Sequence, residues 1–498
     1  RVAIQHKLKL LEYMYSNKKY RSFGAFSPVT TSFKREALNM ENLMALVLAA
    51  GEGKRMKSKY SKVVHKACGK PIIKWVCGTS KEAGIDETVI VVGHQADQVM
   101  ECLGDGYQYV WQKEQLGTGH AVMQAEDILK QKEGLVFILY GDTPLITADT
   151  INKAVAYHKN QNYIATVVTA EVDDPSGYGR IIRNSQGDVQ RIVEHRDASP
   201  DELKVREINS GMYCFSVKHL IAALRELKND NDQGEYYLTD TLEILIKKGF
   251  KVGAYVVENP VEILGVNDRV QLYQVSEFLG KRILEKHMKE GVTIIDPGNI
   301  YIDDSVKIGV DTVIYPGAIL EDGSVIGEDC IIGPNSRIIS SHIGDRVQIS
   351  SSVIIESSVG NDACVGPFAY IRPESRIGQN VKIGDFVEIK KSVIGGKTKI
   401  PHLAYIGDAE VGDNTNIGCG VITVNYNGKE KNKTIIGNNA FVGCNVNLVA
   451  PVEVKDNAYI AAGSTITEEV PEYSLAIARE RQVIKDNWVI KKGMKRDD

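Results

Sequence analysis

Short β-branched runs alternate with amphipathic stretches along the first half of the chain. From Leu43 to about Asn267 the apolar runs are MALVLAA, TVIVVGH, LVFILYGD, IATVVTAEV and SGMYCF, with pieces such as PIIKWVCGTSKEAG between them. Strand-length runs alternating with helical patterns predict an α/β domain with a mostly parallel, Rossmann-like sheet over 43–267. Residues 268–291, DRVQLYQVSEFLGKRILEKHMKEG, have a helical apolar period and end in glycine, which predicts one connecting helix.

Beyond that helix the period becomes six. Aliphatic residues fall at Ile308, Ile314, Leu320, Ile326, Ile332 and Ile338, then at Val359, Val365, Ile371, Ile377, Ile383 and Ile389. A third run is Ile436, Val442, Leu448, Val454, Ile460 and Ile466. A six-residue repeat suits neither an α-helix nor a single alternating strand. It suits a β-solenoid whose coils have three short faces, with the aliphatics stacked inside a prism. This domain is expected over 292–477, followed by a C-terminal arm, 478–498. Five-residue steps at Ile338 to Ile343 and Ile389 to Ile394 are tolerable corners. The stretch CGVITVNYNGKEKNKTI, 419–435, interrupts the period and is expected to leave the prism as a loop, where solenoids often bind their ligands.

Residues 1–42 begin at an arginine, carry a basic excess and show no clear period. They are expected to be a disordered extension outside the fold. At 498 residues the chain needs more than one core, and its 43% hydrophobic and 25% charged residues are those of a soluble globular protein. With 60 basic against 64 acidic side chains, no overall field attracts nucleic acid or an anionic membrane. The eight cysteines are scattered without a C-x-x-C pair, which predicts reduced thiols in a cytoplasmic protein rather than a zinc site or a disulfide framework.

Two features carry candidate chemistry. LVLAAGEGKRM, from Leu46 to Met56, has neither the third glycine of a dinucleotide fingerprint nor the Lys-Ser or Lys-Thr of a P-loop. Its small residues Ala49, Ala50 and Gly51 still let backbone N–H groups approach a nucleotide, and Gly53 lets the loop bend around a triphosphate. Lys54 and Arg55 supply positive charge. Asp142 ends the run LVFILY and puts a carboxylate at the same carboxyl edge, where open α/β sheets bind ligands.

The motifs LAAGEGKRM, SKVVH, QLGTGHA, LYGDTPL, GYGRI, IVEH, EINSG and GVNDR, followed by IRPES, FVEIKKS, PHLAYIGD and TVNYNG, closely resemble those of the bacterial GlmU family, in the same order from about Leu43 to Arg479. Members of that family are bifunctional N-acetylglucosamine-1-phosphate uridyltransferases and glucosamine-1-phosphate acetyltransferases. The resemblance implies a nucleotidyltransferase domain, a connecting helix and a left-handed parallel β-helix of hexapeptide repeats, in a cytoplasmic homotrimer. It implies Mg²⁺ as cofactor, UTP and acetyl-CoA as co-substrates, glucosamine-1-phosphate and N-acetylglucosamine-1-phosphate as further substrates, and neither nucleic acid nor membrane as partner.

By the same resemblance Asp142 and Asn267 hold the metal, and Arg55 and Lys62 offset charge at the reacting phosphates. Leu48, Ala49, Ala50, Gly51, Lys62, Gln112, Gly117, Thr118, Tyr140, Gly141, Asp142, Gly179, Glu194, Asn209 and Asn267 bind the nucleotide and sugar nucleotide. In the second half His402 is the base that accepts the amine proton. Arg372, Lys390, Tyr405 and Asn416 hold the acetyl acceptor. Cys419, Asn425, Tyr426, Cys444, Ala462 and Arg479 hold acetyl-CoA, with Asn425 and Tyr426 also bordering the acceptor. Because a prism has flat outer faces, the acetyl-transfer site is expected where copies meet, His402 and Asn425 facing acetyl-CoA-binding residues of a neighbour.

Four positions depart from the family pattern. Ser61 stands where a proline usually precedes the lysine and is expected to loosen that loop; Pro401 is expected to stiffen the approach to His402; Cys419 and Cys444 replace alanine and serine found in some relatives. A nucleotidyltransferase whose solenoid only oligomerises would need neither His402 nor Asn425, and a non-catalytic binding protein of the translation-factor type would not keep the charged loop with Asp142.

Overall fold

The computed structural model describes residues 42–231 and 233–494, so the expected disorder of the 1–42 extension falls, but for Asn42, outside the described residues. Every residue of Leu43–Ala49 (β1) is buried, as in a strand covered on both faces. Glu87–Val92 (β2), Gln108–Trp111 (β3), Leu135–Tyr140 (β4), Ala165–Glu171 (β5), Arg180–Arg183 (β6), Val189–Val193 (β7), Glu207–Ser216 (β8) and Val252–Val256 (β9) complete its sheet. The main strand order is β9-β5-β8-β4-β1-β2-β3, with β6 and β7 as a side ribbon reached through β8. The sheet is mixed rather than mostly parallel: β9-β5, β4-β1, β1-β2 and β2-β3 pair in parallel, whereas β8 runs antiparallel to β4, β5 and β6, and β6 to β7, because the β6–β7 ribbon and the reversed β8 are inserted into the parallel core. Because β1 and β4 are parallel neighbours with Leu48 opposite Tyr140, the loops that follow them leave the sheet side by side.

The connecting helix spans Arg269–Lys289. Asp268 caps it by accepting from the Gln271 N–H at 2.9 Å, and Val275, Leu279, Ile283 and Leu284 form its buried stripe. Arg282 donates to the Leu145 carbonyl at 2.8 Å, which fastens the helix to the α/β domain. A hairpin, Lys66–Ala67 with Lys70–Pro71, reaches the first coil of the solenoid through a 3.1 Å ion pair between Lys70 and Asp304. Its turn residue Gly69 has φ +75°, and a Cβ there would lie 2.3 Å from the Asp303 carboxylate carbon, so glycine alone fits.

Beyond the helix the chain winds into a parallel β-helix whose three sheets have 11, 10 and 9 strands, each strand pairing with the one a full coil later. All the period-six aliphatics are buried except Ile308, which sits in the first coil and is half-buried. The interior also holds a second set that the aliphatic period does not reveal. Two residues before many of the aliphatics stands a buried Ser or Thr, as at Ser324, Ser341, Ser357, Ser375, Ser392, Thr398 and Thr415. Successive hydroxyls accept from the coil above: the Ser341 N–H donates to Ser324 Oγ, Ser357 to Ser341 and Ser375 to Ser357, at 3.2–3.3 Å. Small hydroxyl side chains fit the corners and satisfy backbone groups that aliphatics would leave unpaired.

The expected loop 419–435 is shorter than its sequence suggests. Ile422–Val424 remains a strand paired with Tyr405 and with Asn447–Val449, and the excursion covers only residues 425–433. Thr423 hides the period because it occupies the inward position of an aliphatic; its hydroxyl accepts from the Gly407 N–H at 2.7 Å and donates to the Gly407 carbonyl at 3.0 Å.

Candidate functional site

A cavity of about 330 Å³ opens at the carboxyl edge of the α/β sheet. Leu48, Ala49, Ala50, Gly51, Lys62, Gln112, Gly117, Thr118, Tyr140, Asp142 and Asn267 line it, all singled out from sequence, together with Val63, Gln115, Ala121 and Glu235, which were not. Gly141, whose N–H donates to the Leu48 carbonyl at 2.9 Å, ties the two strand ends together beneath it. At the floor the Lys62 ammonium pairs with Asp142 Oδ2 and donates to Asn267 Oδ1 at 3.2 Å. Gly53, at φ +62°, makes this possible: a Cβ would lie 2.8 Å from Lys62 Cβ, so only glycine lets the loop fold onto the lysine. Arg55 lies on the 3₁₀ turn Lys54–Met56, exposed and outside the cavity lining.

Ser61, expected to loosen this loop, brings a backbone contact that a proline would lack. A proline there would have no N–H; the Ser61 N–H donates to Gln98 Oε1 at 2.8 Å, while the Gln95 and Gln98 side-chain amides both donate to the Lys59 carbonyl. Two glutamines thus hold the segment that carries Lys62.

At the other end of the cavity Gln112 donates to the Gly117 carbonyl at 3.0 Å, and the Thr118 hydroxyl accepts from the Leu238 N–H at 3.1 Å. A Cβ on Gly117, at φ +103°, would fall 2.6 Å from the Tyr236 carbonyl. Residues 235–238 therefore close this end; far downstream and without a recognisable motif, Glu235 could be found only once the chain was folded. Gly179, Glu194 and Asn209 form a separate group beyond Tyr140. The Asn209 N–H donates to the Gly179 carbonyl at 2.9 Å, and a Cβ on Gly179 would be 3.3 Å from Glu194 Oε1. Burial, then the charges of Asp197 and Asp240, push the Glu194 carboxyl above the usual range.

The second group of candidates lies on the β-helix. His402 ends the strand Lys399–His402 and stands in register with Asp385 one coil below, its Nδ1 2.6 Å from Asp385 Oδ1. On the adjoining face Arg372 pairs with Glu388 at 2.7 Å and Lys390 with Asp408 at 2.9 Å. Asn425 donates to both Asp408 and the Tyr405 hydroxyl, which joins the base of the 425–433 loop to this patch. Lys431, in that loop, was not singled out from sequence. The Lys390 ammonium against it pushes its pKa down and Arg372 adds to the effect, so three cations converge on one small surface, as an anion site requires. Asn416 is instead on the His402 face, between Lys399 and Phe441, and the exposed Tyr426 bonds its own loop at the Gly428 carbonyl.

Cys419, Cys444 and Ala462 climb one corner of the prism from Leu403. The Gly420 N–H donates to the Leu403 carbonyl, Asn445 to Cys419 and Gly463 to Cys444, at 2.7–2.9 Å. Arg479 lies against Gly463, whose Cβ would be 3.9 Å from Arg479 Cδ. Within one chain, His402, Cys419, Cys444, Ala462 and Arg479 thus follow one corner of the prism. Cys419 and Cys444 are free thiols.

A nucleotidyl transferase family model matches residues 44–259, a six-repeat bacterial transferase hexapeptide model matches 305–340, 356–391 and 433–468, and a model of the hexapeptide repeat of succinyl-transferase matches 325–357. The bifunctional protein GlmU of Acetivibrio thermocellus is 64% identical over 459 residues, 92% of this chain and 100% of the relative. That of Caldanaerobacter subterraneus subsp. tengcongensis is 61% identical over 457 residues, 91% of this chain and 100% of the relative. That of Thermoanaerobacter pseudethanolicus is 56% identical, with the same coverage. The α/β sheet and the β-helix, which the hexapeptide repeat makes left-handed, are joined in one chain that these relatives match over their whole length, and the chain belongs to the bifunctional GlmU family.

Proposed function

We propose that the protein acetylates glucosamine-1-phosphate from acetyl-CoA on its β-helix and transfers UMP from UTP to N-acetylglucosamine-1-phosphate on its α/β domain, giving UDP-N-acetylglucosamine and pyrophosphate. The observation that carries the proposal is the presence in one chain of the Lys62, Asp142 and Asn267 cluster and of His402 beside a patch holding Arg372, Lys390 and Asn425. Membership of a family whose relatives are named bifunctional supports both halves.

In the uridyl transfer the sugar phosphate oxygen attacks the α-phosphorus in line and pyrophosphate leaves, so the chain's task is positioning and charge compensation. Ala49, Ala50 and Gly51 present backbone to the nucleotide, Gln112, Gly117 and Thr118 hold its base, and Lys62 faces the reacting phosphate. Gly179, Glu194 and Asn209 orient the sugar beyond Tyr140. The Asp142 and Asn267 oxygens converge on one ammonium, Lys62 Nζ, and this arrangement of few protein oxygens beside a phosphate site fits Mg²⁺. When bound, that ion neutralises charge on the phosphate oxygens.

In the acetyl transfer Arg372, Lys390 and Lys431 hold the acceptor phosphate, Tyr405 and Asn425 orient the sugar, and His402 takes the amine proton. Among the described residues no helix is long and apolar enough to cross a membrane; a cytoplasmic homotrimer is the form we propose. The test is a pair of product assays on one preparation. Free thiol is expected from acetyl-CoA only when glucosamine-1-phosphate is present, and pyrophosphate from UTP only when N-acetylglucosamine-1-phosphate and Mg²⁺ are present. Absence of either product from folded protein would refute that half of the proposal.

A further inference from the structure

We infer that Asp385 is the positioning residue of the acetyl-transfer base: its carboxylate, 2.6 Å from His402 Nδ1, holds the ring in the tautomer that leaves Nε2 free for the acceptor's proton. The inference rests on the reading of His402 as that base. Three features of the coil pair build the contact. Asp385 and His402 are register partners in adjacent parallel strands, where neighbouring backbones lie about 4.8 Å apart. The Leu403 N–H donates to the Asp385 carbonyl at 2.9 Å, so the main chain ties Asp385 to the residue that follows His402. One position earlier, a Cβ on Gly384 would lie 1.8 Å from the Pro401 carbonyl oxygen; any other residue at 384 would push the coils apart where the pair forms.

The chemistry follows from donor and acceptor capacity. The hydrogen bond from His402 holds the Asp385 carboxyl below the usual range, and Lys382 on the same strand adds to this, so the group is an ionised acceptor. An ionised carboxylate has no proton to give; Nδ1 must therefore carry one, and the Nε2 lone pair is left outward. With the His402 side chain 57% exposed and that of Asp385 38% exposed, the pair contributes little to stability, which leaves ring orientation as its consequence. In the reaction the acceptor amine's lone pair attacks the thioester carbonyl carbon while its proton passes to Nε2. The carbon–sulfur bond then breaks, its electron pair stays on sulfur, and the CoA thiolate takes the proton back from Nε2. Throughout, the Nδ1 proton stays on Nδ1, and the cationic ring between the two transfers faces a carboxylate.

The experiment uses the full-length protein with both activities measured. His402→Ala comes first: loss of acetyl transfer with uridyl transfer intact supports the base reading, and retained acetyl transfer overturns that reading together with the inference. With the reading standing, Asp385→Ala is expected to lower kcat of acetyl transfer about 10- to 100-fold, while KM for glucosamine-1-phosphate changes less than about threefold. Asp385→Asn, nearly the same shape and still able to accept from Nδ1–H, is expected to recover most of that loss. Nitrogen-15 spectra of labelled histidine should show the His402 proton on Nδ1 in the parent and in Asp385→Asn, and chiefly on Nε2 in Asp385→Ala. Parental kcat in Asp385→Ala, equal losses in the Ala and Asn variants, or an unchanged ring tautomer would each overturn the inference.

Discussion

Lys62 and Asp142 are mostly buried at the floor of the first cavity, and each is the other's compensation. Truncating one partner of such a pair leaves a charge without its counterion, which is costly in both structure and function. Asp142 also supplies the carboxylate proposed to hold Mg²⁺, so Asp142→Ala is expected to lower uridyl transfer at least ~100-fold, the range seen when electrostatic groups are removed from active sites. Acetyl transfer in the same preparation should stay within about twofold, since His402 and its neighbours belong to the β-helix. Comparable loss of both rates in folded protein would argue against separate sites. Ser61 shows what residue identity alone does not tell: where a proline was expected, the N–H that serine provides is taken up by Gln98.

Each coil of the β-helix is specified by more than its aliphatic period. Thr423 sits where the period calls for valine or isoleucine, and its hydroxyl satisfies both the N–H and the carbonyl of Gly407. Gly407 in turn has no room for a Cβ, which would approach the Tyr405 hydroxyl to 2.4 Å. Thr423→Val keeps the side-chain shape and improves the hydrophobic pattern, yet it leaves buried backbone groups unpaired. Such groups cost about 1–3 kcal/mol each, so the variant is expected to be destabilised by that order in denaturant unfolding. Because Tyr405, Asp408 and Asn425 lie beside this strand, KM for glucosamine-1-phosphate should rise as well. A variant as stable as the parent would show that Gly407 finds other partners. The coils themselves were legible in the sequence, since stacked aliphatics must recur with the coil; the buried hydroxyl ladder was not, because Ser and Thr are also common at exposed turns.

On the scale of the whole molecule, an apolar row beside His402 is left open by one chain. Phe368 and Phe386 stack with ring centroids 5.5 Å apart, Leu403 continues the row beside His402, and all three are more than half exposed. Beyond Arg479, Val483, Ile484, Trp488 and Val489 are also exposed. An exposed aromatic and aliphatic row of this kind marks a contact surface, and a closed ring of copies covers one on every chain equally. If the protein is the trimer proposed above, Phe386→Glu is expected to shift it to monomer in sedimentation and to abolish acetyl transfer while sparing uridyl transfer. A monomer with full acetyltransferase activity would refute the need for a neighbour.

The sequence by itself determined the alternation of strand and helix, the change to a six-residue period, the connecting helix and most of the residues that meet at each site. These depend on local periodicity and on motifs that carry their own backbone requirements, such as the glycine at 53 that lies against Lys62. Only the tertiary structure decided that Glu235 closes the nucleotide cavity, that Lys431 joins Arg372 and Lys390, that Arg55 stays outside the lining, and that Asp385 meets His402. Those pairings join residues on different coils or distant strands. Their contacts are set by sheet order and by how closely two backbones approach, as at Gly384 and Pro401, and neither quantity is written in the spacing of residues along the chain.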